Sequence, residues 1–389
     1  MSSPVLFCSD DSKAILLDLP SSVEDAQDAR LQLLSTAALE APYSSTEPKG
    51  NKRAQILQSL PRAVVDYNHE LHLGVSGALA RVKAHIDGTA TAWCRPRWVS
   101  DPSNSLTDRH SEPGALEWDE TYGFAEQAPV VLSTLRQGNH FESLDALRSI
   151  AVLNPGESTS VVTSAPQTAA YSIPPKSCFI LATISAGFAA FETAISVVDV
   201  VSFDLIVLDP PWANRSVRRG KTYSTTERQA SDPFIDALRV LRYLGANGTV
   251  AIWITNKPAI REQVISSLHD YELDLAEEWI WTKITMHGQT LTPIDGLWRS
   301  PYETLLLFQH TKVKSVKRRF MFAVPDIHSR KPSLKRLSEK LLPLNSDYHA
   351  LELFARSLTA GWWSWGDDVL KFQHGKNWKS IKEEVDGTS

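Results

Sequence analysis

From Ser177 onward the chain alternates short apolar runs with segments of helical spacing, and that alternation admits few folds. The apolar runs are residues 178–183, 203–208, 249–254, 277–284, 302–309 and 350–354, and they read as buried strands. The periodic segments 232–244, 258–269 and 334–342 read as helices. Strands alternating with helices imply an α/β fold with a mostly parallel sheet covered on both faces, because parallel neighbours need a crossover connection. Ligands of such sheets bind beyond the carboxyl ends of the strands. Asp209 stands at one such end and Arg356 just past another.

Residues 1–165 differ in texture and are predicted as a less regular, partly helical N-terminal extension, with 166–389 as the main domain. Segments 42–50 and 101–108 read as loops, and 54–82 as one or two helices. Residues 154–167, rich in Ser, Thr, Pro and Gly, are predicted as a linker. With 42% hydrophobic and 22% charged residues the composition is that of a folded globular chain. No run is long enough to span a bilayer, and the N-terminus lacks a basic flank with an apolar core, so neither a membrane protein nor secretion is expected. Cys8, Cys94 and Cys178 show no metal spacing and are odd in number, which favours a reducing compartment, nucleus or cytoplasm. A formal net charge of -5 excludes a generally basic nucleic-acid binder; such a partner would need a local patch.

The chemistry concentrates in Asp209-Pro210-Pro211-Trp212. Asp-Pro-Pro also occurs in ordinary turns, but at the end of a buried strand the four residues suit methylation of an amine on a flat base. Such an amine is a poor nucleophile, its lone pair being delocalised into the ring. The Asp209 carboxylate and Pro210 carbonyl are candidate acceptors that hold it. The prolines fix the backbone and remove N–H donors, and the Trp212 indole is a candidate stacking wall. Orienting the amine towards a methylsulfonium supplies the rest, with no metal required.

These residues and their surroundings resemble the eukaryotic adenine-N6 methyltransferase family, and within it the methyltransferase-like protein 4 branch. The resemblance is carried by residues 209–223, by Trp281-Thr282-Lys283-Ile284-Thr285, by Pro301-Tyr302-Glu303, by His328-Ser329-Arg330-Lys331-Pro332, and by the run 352–373. It implies a Rossmann-like fold dependent on S-adenosylmethionine, with the catalytic motif ahead of the cofactor motif. It further implies that Lys331 meets the cofactor carboxylate, that Phe354 and Arg356 line the adenosine, and that Asp367 and Asp368 hold ribose and adenine edge. Ala182 and Thr183, candidate cofactor contacts together with Asp209, fall where the family usually has an acid against the cofactor, which leaves them backbone contacts to it; Gly366-Asp367-Asp368 replaces a more usual Gly-Asn start. An aspartate accepts from hydroxyls but does not donate as an asparagine does. Without the resemblance, Lys331 reads as a solvated lysine at a helix start, Phe354 as core, and Arg356 as an ion-pair partner.

Arg215, Arg218, Arg219 and Lys221 follow the tetrapeptide closely and form the local positive charge that phosphate binding needs. With Asn214, Tyr223, Lys283 and His287 they are the candidate substrate contacts. A second basic run, Lys312, Lys314, Lys317, Arg318 and Arg319, is open between a solvated face, an import signal and a phosphate track. The resemblance implies an RNA substrate, with 2′-O-methyladenosine in U2 small nuclear RNA as the specific expectation and DNA as the nearest alternative. Nucleic-acid docking is the expectation for 1–165. A non-catalytic RNA-binding subunit and a small-molecule methyltransferase are the readings from other classes.

Overall fold

The computed structural model describes residues 3–44, 46–99, 131–133, 139–148, 150–164, 169–212, 232–327 and 330–381. In chain order its strands are β1 Val5–Cys8, β2 Ala14–Leu17, β3 Leu31–Ser35, β4 Trp98–Val99, β5 Val131–Ser133, β6 His140–Phe141, β7 Ala151–Asn154, β8 Ser160–Ser164, β9 Ala169–Ile173, β10 Ser177–Leu181, β11 Phe203–Leu208, β12 Leu244–Ile254, β13 Asp274–Lys283, β14 Tyr302–Gln309, β15 Lys317–Ala323, β16 Ala350–Leu353, β17 Trp362–Gly366 and β18 Trp378–Ser380. The helices are α1 Leu19–Asp25, α2 Gly50–Ser59, α3 Arg62–Asp87, α4 Ile184–Val198, α5 Pro233–Ala237, α6 Pro258–His269 and α7 Lys335–Leu341.

Twelve of these strands form one sheet in the order β1-β2-β15-β13-β14-β12-β11-β16-β17-β10-β7-β5. Its centre, β10-β17-β16-β11-β12, is parallel throughout. β14 is antiparallel to both β12 and β13, so β13 runs with the central five. The carboxyl ends of β10, β17, β16, β11, β12 and β13 therefore share one edge of the sheet. This is a Rossmann-like α/β architecture.

Both faces are apolar because both are covered. Ile206 and Leu208 of β11 face Phe188 and Phe191 of α4, Phe234 of α5 and Val264 of α6. Leu205 and Val207, pointing the other way, meet Leu19 and Val23 of α1 and Leu337 of α7. Towards the β2 edge, Leu71, Val75, Ala78 and Val82 of α3 recur at helical spacing and cover Ile280, Phe320 and Phe322.

Two findings depart from expectation. The segment predicted as a linker, 154–167, is not one where it is described: residues 160–164 form β8, which pairs antiparallel with β9, and Val162 and Ser164 are buried on alternate positions of β8. Asn154, where that segment starts, is buried, its side-chain amide 2.9–3.0 Å from the carbonyls of Ser158, Ile173 and Pro174. A Ser- and Thr-rich composition thus concealed a strand. The run at 178–183 ends earlier than expected, at Leu181. Thr183 is instead the N-cap of α4, accepting from Ala186 N–H at 3.3 Å. The helix escaped notice because its exposed stripe, Ser185, Ala189, Glu192 and Ser196, is made of small residues and a single charge. The large sheet draws strands from both sides of residue 165: β1 and β2 close one end and β7 and β5 the other.

Candidate active site

Asp209 follows β11 directly, and its N–H donates to Leu353 O at 3.3 Å, so β11 and β16 stay paired to the point where the motif begins. Its carboxylate accepts from Lys331 Nζ at 2.6 Å. Lys331 also lies 3.6 Å from Glu303 Oε2, and Glu303 Oε1 accepts from Lys283 Nζ at 2.5 Å. Two acids and two lysines thus alternate along the sheet edge, drawn from β11, β14, the end of β13 and the segment before α7. Burial acts to raise the Glu303 carboxyl, but the ammonium groups of Lys331 and Lys283 outweigh it and hold it below its ordinary value.

Trp212 is fixed on two sides. Its Nε1 donates to Trp253 O at 2.8 Å, and its ring packs at 5.2 Å on Phe234. Its own N–H donates to Pro210 O at 2.8 Å. A carbonyl oxygen has two lone pairs, so Pro210 retains one acceptor site. Pro210 is buried, while Trp212 is half-buried and Pro211 is exposed.

Beside Asp209 opens a cleft lined by Lys331, Arg330, Glu352, Phe354, Arg356 and Trp253, with Val23 and Ala26 closing it from the N-terminal segment. Phe354 has φ +59, a left-handed conformation that is costly for a residue with a side chain. It is held there because β16 and β17 end almost in contact. Ala355 N–H donates to Trp365 O at 3.1 Å, and a Cβ on Gly366 would lie 2.6 Å from Ala355 O. Glycine at 366 is what permits this approach. Asp367 and Asp368 follow it at the rim as exposed residues; desolvation and then the adjacent Asp368 raise the Asp367 carboxyl.

Two cleft groups carry unmet polar capacity. Glu352 has Val207 and Ser364 as its register neighbours on β11 and β17. No hydrogen-bond partner or ion pair reaches it among the described residues. Burial, followed by the Asp209 charge, pushes its carboxyl up to about 7, against the opposing Lys331 ammonium. Arg330 is buried, ion-paired through Nη1 with Asp326 and bonded to Leu34 O at 3.1 Å. Its Nε and Nη2 have no partner among the described residues.

The sequence candidates therefore separate into groups. Asp209, Pro210, Trp212, Lys331, Phe354 and Arg356 come together at the cleft, with Lys283 joined to them through Glu303. Ala182 and Thr183 link β10 to α4 beside the end of β17: Ala182 N–H donates to Gly366 O at 3.3 Å, and Thr183 O accepts from Trp365 Nε1 at 3.3 Å. His287 is exposed on the loop after β13 and belongs to no network at Asp209. Asn214, Arg215, Arg218, Arg219, Lys221 and Tyr223 lie outside the described residues. The second basic run is corrected in part. Arg319 is buried and paired with Glu277 at 2.7 Å, and Arg318 pairs at 2.7 Å with the fully buried Glu278, which Arg261 meets from α6 at 2.5 Å. These two arginines neutralise interior acids and are not a phosphate track. Glu303, Arg330 and Glu352 stand in the segments that carry the resemblance, but like Val23 they were given no role from the sequence. The one available signal was an acid inside an otherwise apolar run, which Glu303 and Glu352 both show.

A parallel sheet bearing Asp-Pro-Pro-Trp at a strand's carboxyl end, beside a cleft between paired strand ends, defines an α/β methyltransferase. A family model described as MT-A70 matches residues 203–368. The chain is 32% identical, over the whole of both chains, to the N6-methyladenosine RNA methyltransferase MTA1 of Pyricularia oryzae. It is 33% identical over 222 residues to the N(6)-adenine-specific methyltransferase METTL4 of Homo sapiens, covering 52% of this chain and 44% of that protein. It is 32% identical over 232 residues to the DNA N6-methyl methyltransferase of Caenorhabditis elegans, covering 56% of this chain and 59% of that one. The chain belongs to the MT-A70 family.

Proposed function

We propose that this protein transfers a methyl group from S-adenosylmethionine to the N6 amine of adenine in RNA. The observation that carries the reading is the Asp209 carboxylate at the sheet edge, held by Lys331 at 2.6 Å beside an indole locked by Trp253 and Phe234. RNA is favoured over DNA because a relative named for RNA methylation matches over the whole of both chains. The specific substrate proposed is 2′-O-methyladenosine in U2 small nuclear RNA, and the proposed location is the nucleus.

The residues of the cleft support S-adenosylmethionine as the donor. Lys331 has three N–H donors, and its contacts with Asp209 and Glu303 leave one for a carboxylate. Glu352 offers an unpaired carboxyl to an ammonium, and on this reading Phe354, Arg356, Asp367 and Asp368 would meet the nucleoside. When bound, the cofactor supplies an electrophilic methyl on a sulfonium. The protein's part is orientation. Asp209 and the free lone pair of Pro210 accept the two amine hydrogens, drawing the nitrogen out of conjugation. Trp212 fixes the plane of the base. The nitrogen that has gained a methyl then loses one proton, for which Asp209 is the adjacent acceptor. A single-stranded target avoids the unpairing cost that a duplex imposes.

The test is transfer from labelled S-adenosylmethionine to matched RNA and DNA oligonucleotides, with nucleoside mass spectrometry of the products. N6-methylated adenosine in the RNA pool is expected. Product in the DNA pool alone would overturn the RNA assignment, and no product from either would overturn the catalytic reading.

A further inference from the structure

Of the tryptophans among the described residues, Trp298 alone is exposed, at 52%. It stands on the connection between β13 and β14. That connection leaves the sheet at the edge that carries Asp209, since β13 runs with the central strands. Its two ends, Lys283 and Glu303, are the pair already joined to Lys331.

The connection is held from outside by the N-terminal segment. Met286 N–H donates to Leu39 O at 2.8 Å, and Tyr43 N–H donates to Leu291 O at 2.9 Å. Glu47 then accepts from three consecutive backbone N–H groups, those of Leu297, Trp298 and Arg299, at 2.7–3.3 Å. Arg53 of α2 ties down Asp295 at 2.7 Å. These contacts fix the backbone of the loop while its indole stays open to solvent. Lys52 Nζ lies 5.2 Å from the Trp298 ring centroid, and Arg299, next in the chain, is exposed. Of the acids on this segment, Glu47 is taken up by the loop N–H groups and Asp295 pairs with Arg53.

An exposed aromatic on a tethered loop, with a lysine beside its ring, matches the chemistry of an unpaired base and its phosphate. Bases stack on aromatic faces irrespective of sequence, and cations beside them take the backbone. We propose that Trp298, with Lys52, stacks an unpaired nucleotide that flanks the target adenine. This rests on the reading of the substrate as nucleic acid. It gives residues 36–53 a role in catalysis that passes through substrate docking rather than chemistry.

The test is the affinity of labelled single-stranded RNA, by fluorescence anisotropy, for wild type, Trp298→Ala, Trp298→Phe and Lys52→Glu, with donor affinity and melting temperature measured alongside. Stacking of one base is worth a factor of about 5 to 150 in affinity. Trp298→Ala should lose at least the lower figure, Trp298→Phe should recover most of it, and Lys52→Glu should weaken binding and flatten its salt dependence. Donor affinity should not move. Single-strand binding indifferent to Trp298→Ala overturns the stacking site while leaving the substrate reading intact. A changed sedimentation coefficient in Trp298→Ala with unchanged RNA affinity assigns the ring to a protein contact and overturns it equally. Wild type that binds no RNA or DNA overturns both.

Discussion

Glu352→Gln isolates the most unusual electrostatic feature of the cleft. The carboxyl is carried from an ordinary 4.5 to about 7 by burial and by the neighbouring Asp209 charge. Ionising it in place therefore costs ~3 kcal/mol more than ionising it in the unfolded chain. Because the folded value is raised, the stability it confers is fully present below about 4.5 and is lost as pH rises through about 7. Glutamine fills nearly the same volume and never ionises. Unfolding free energies from urea titration of the donor-free protein should thus be close for wild type and variant at pH 5. At pH 8 the variant should be more stable by up to ~3 kcal/mol. Taking the difference between the two proteins cancels every other titration they share. Saturating S-adenosylmethionine should shrink the gap at pH 8, because its ammonium would compensate the carboxylate. An equal difference at pH 5 and pH 8 would refute the assignment of a raised, unpaired carboxyl at this position.

Lys331→Met should weaken S-adenosylmethionine binding by about tenfold or more, the worth of a charge-assisted hydrogen bond, read by calorimetric titration. Gly366→Ala places a methyl 2.6 Å from Ala355 O. The expected cost is about 1–3 kcal/mol of stability, with donor affinity falling in parallel as the strand ends part. Arg318→Met leaves Glu278 with Arg261 as its remaining cation. It should lower unfolding free energy by about 2–4 kcal/mol while RNA affinity stays at the wild-type value; a loss of RNA affinity without a loss of stability would restore Arg318 to the surface track.

The parallel sheet was legible because β11 and residues 249–254 of β12 are short runs apolar on both faces, a pattern that few other structures share. Asp209 and Arg356 were placed at the carboxyl edge by the same logic. The rest was hidden for separable reasons. β17 carries three tryptophans in five residues, Trp362, Trp363 and Trp365, which drew attention as a motif and away from a strand. β15 begins with Lys317, Arg318 and Arg319, whose charges read as surface; their partners Glu277 and Glu278 are forty residues distant and lie on the adjacent β13. Val23 and Glu47 reach the site or its rim from a segment whose local pattern contains no sign of such a destination. Glu303 and Glu352 were visible as acids inside apolar runs. Their main cation, Lys331, comes from the segment before α7, which no pattern within either run connects to them.

Asp209 carries the proposed chemistry. Methyl transfer to RNA by Asp209→Ala should be measured beside wild type, with S-adenosylmethionine affinity determined on the same preparations. The expected result is loss of transfer by at least ~100-fold with donor binding retained, because the carboxylate acts on the amine and Lys331 keeps its place over the Trp253 ring, 5.2 Å away. Turnover that survives the substitution would contradict the proposed mechanism directly.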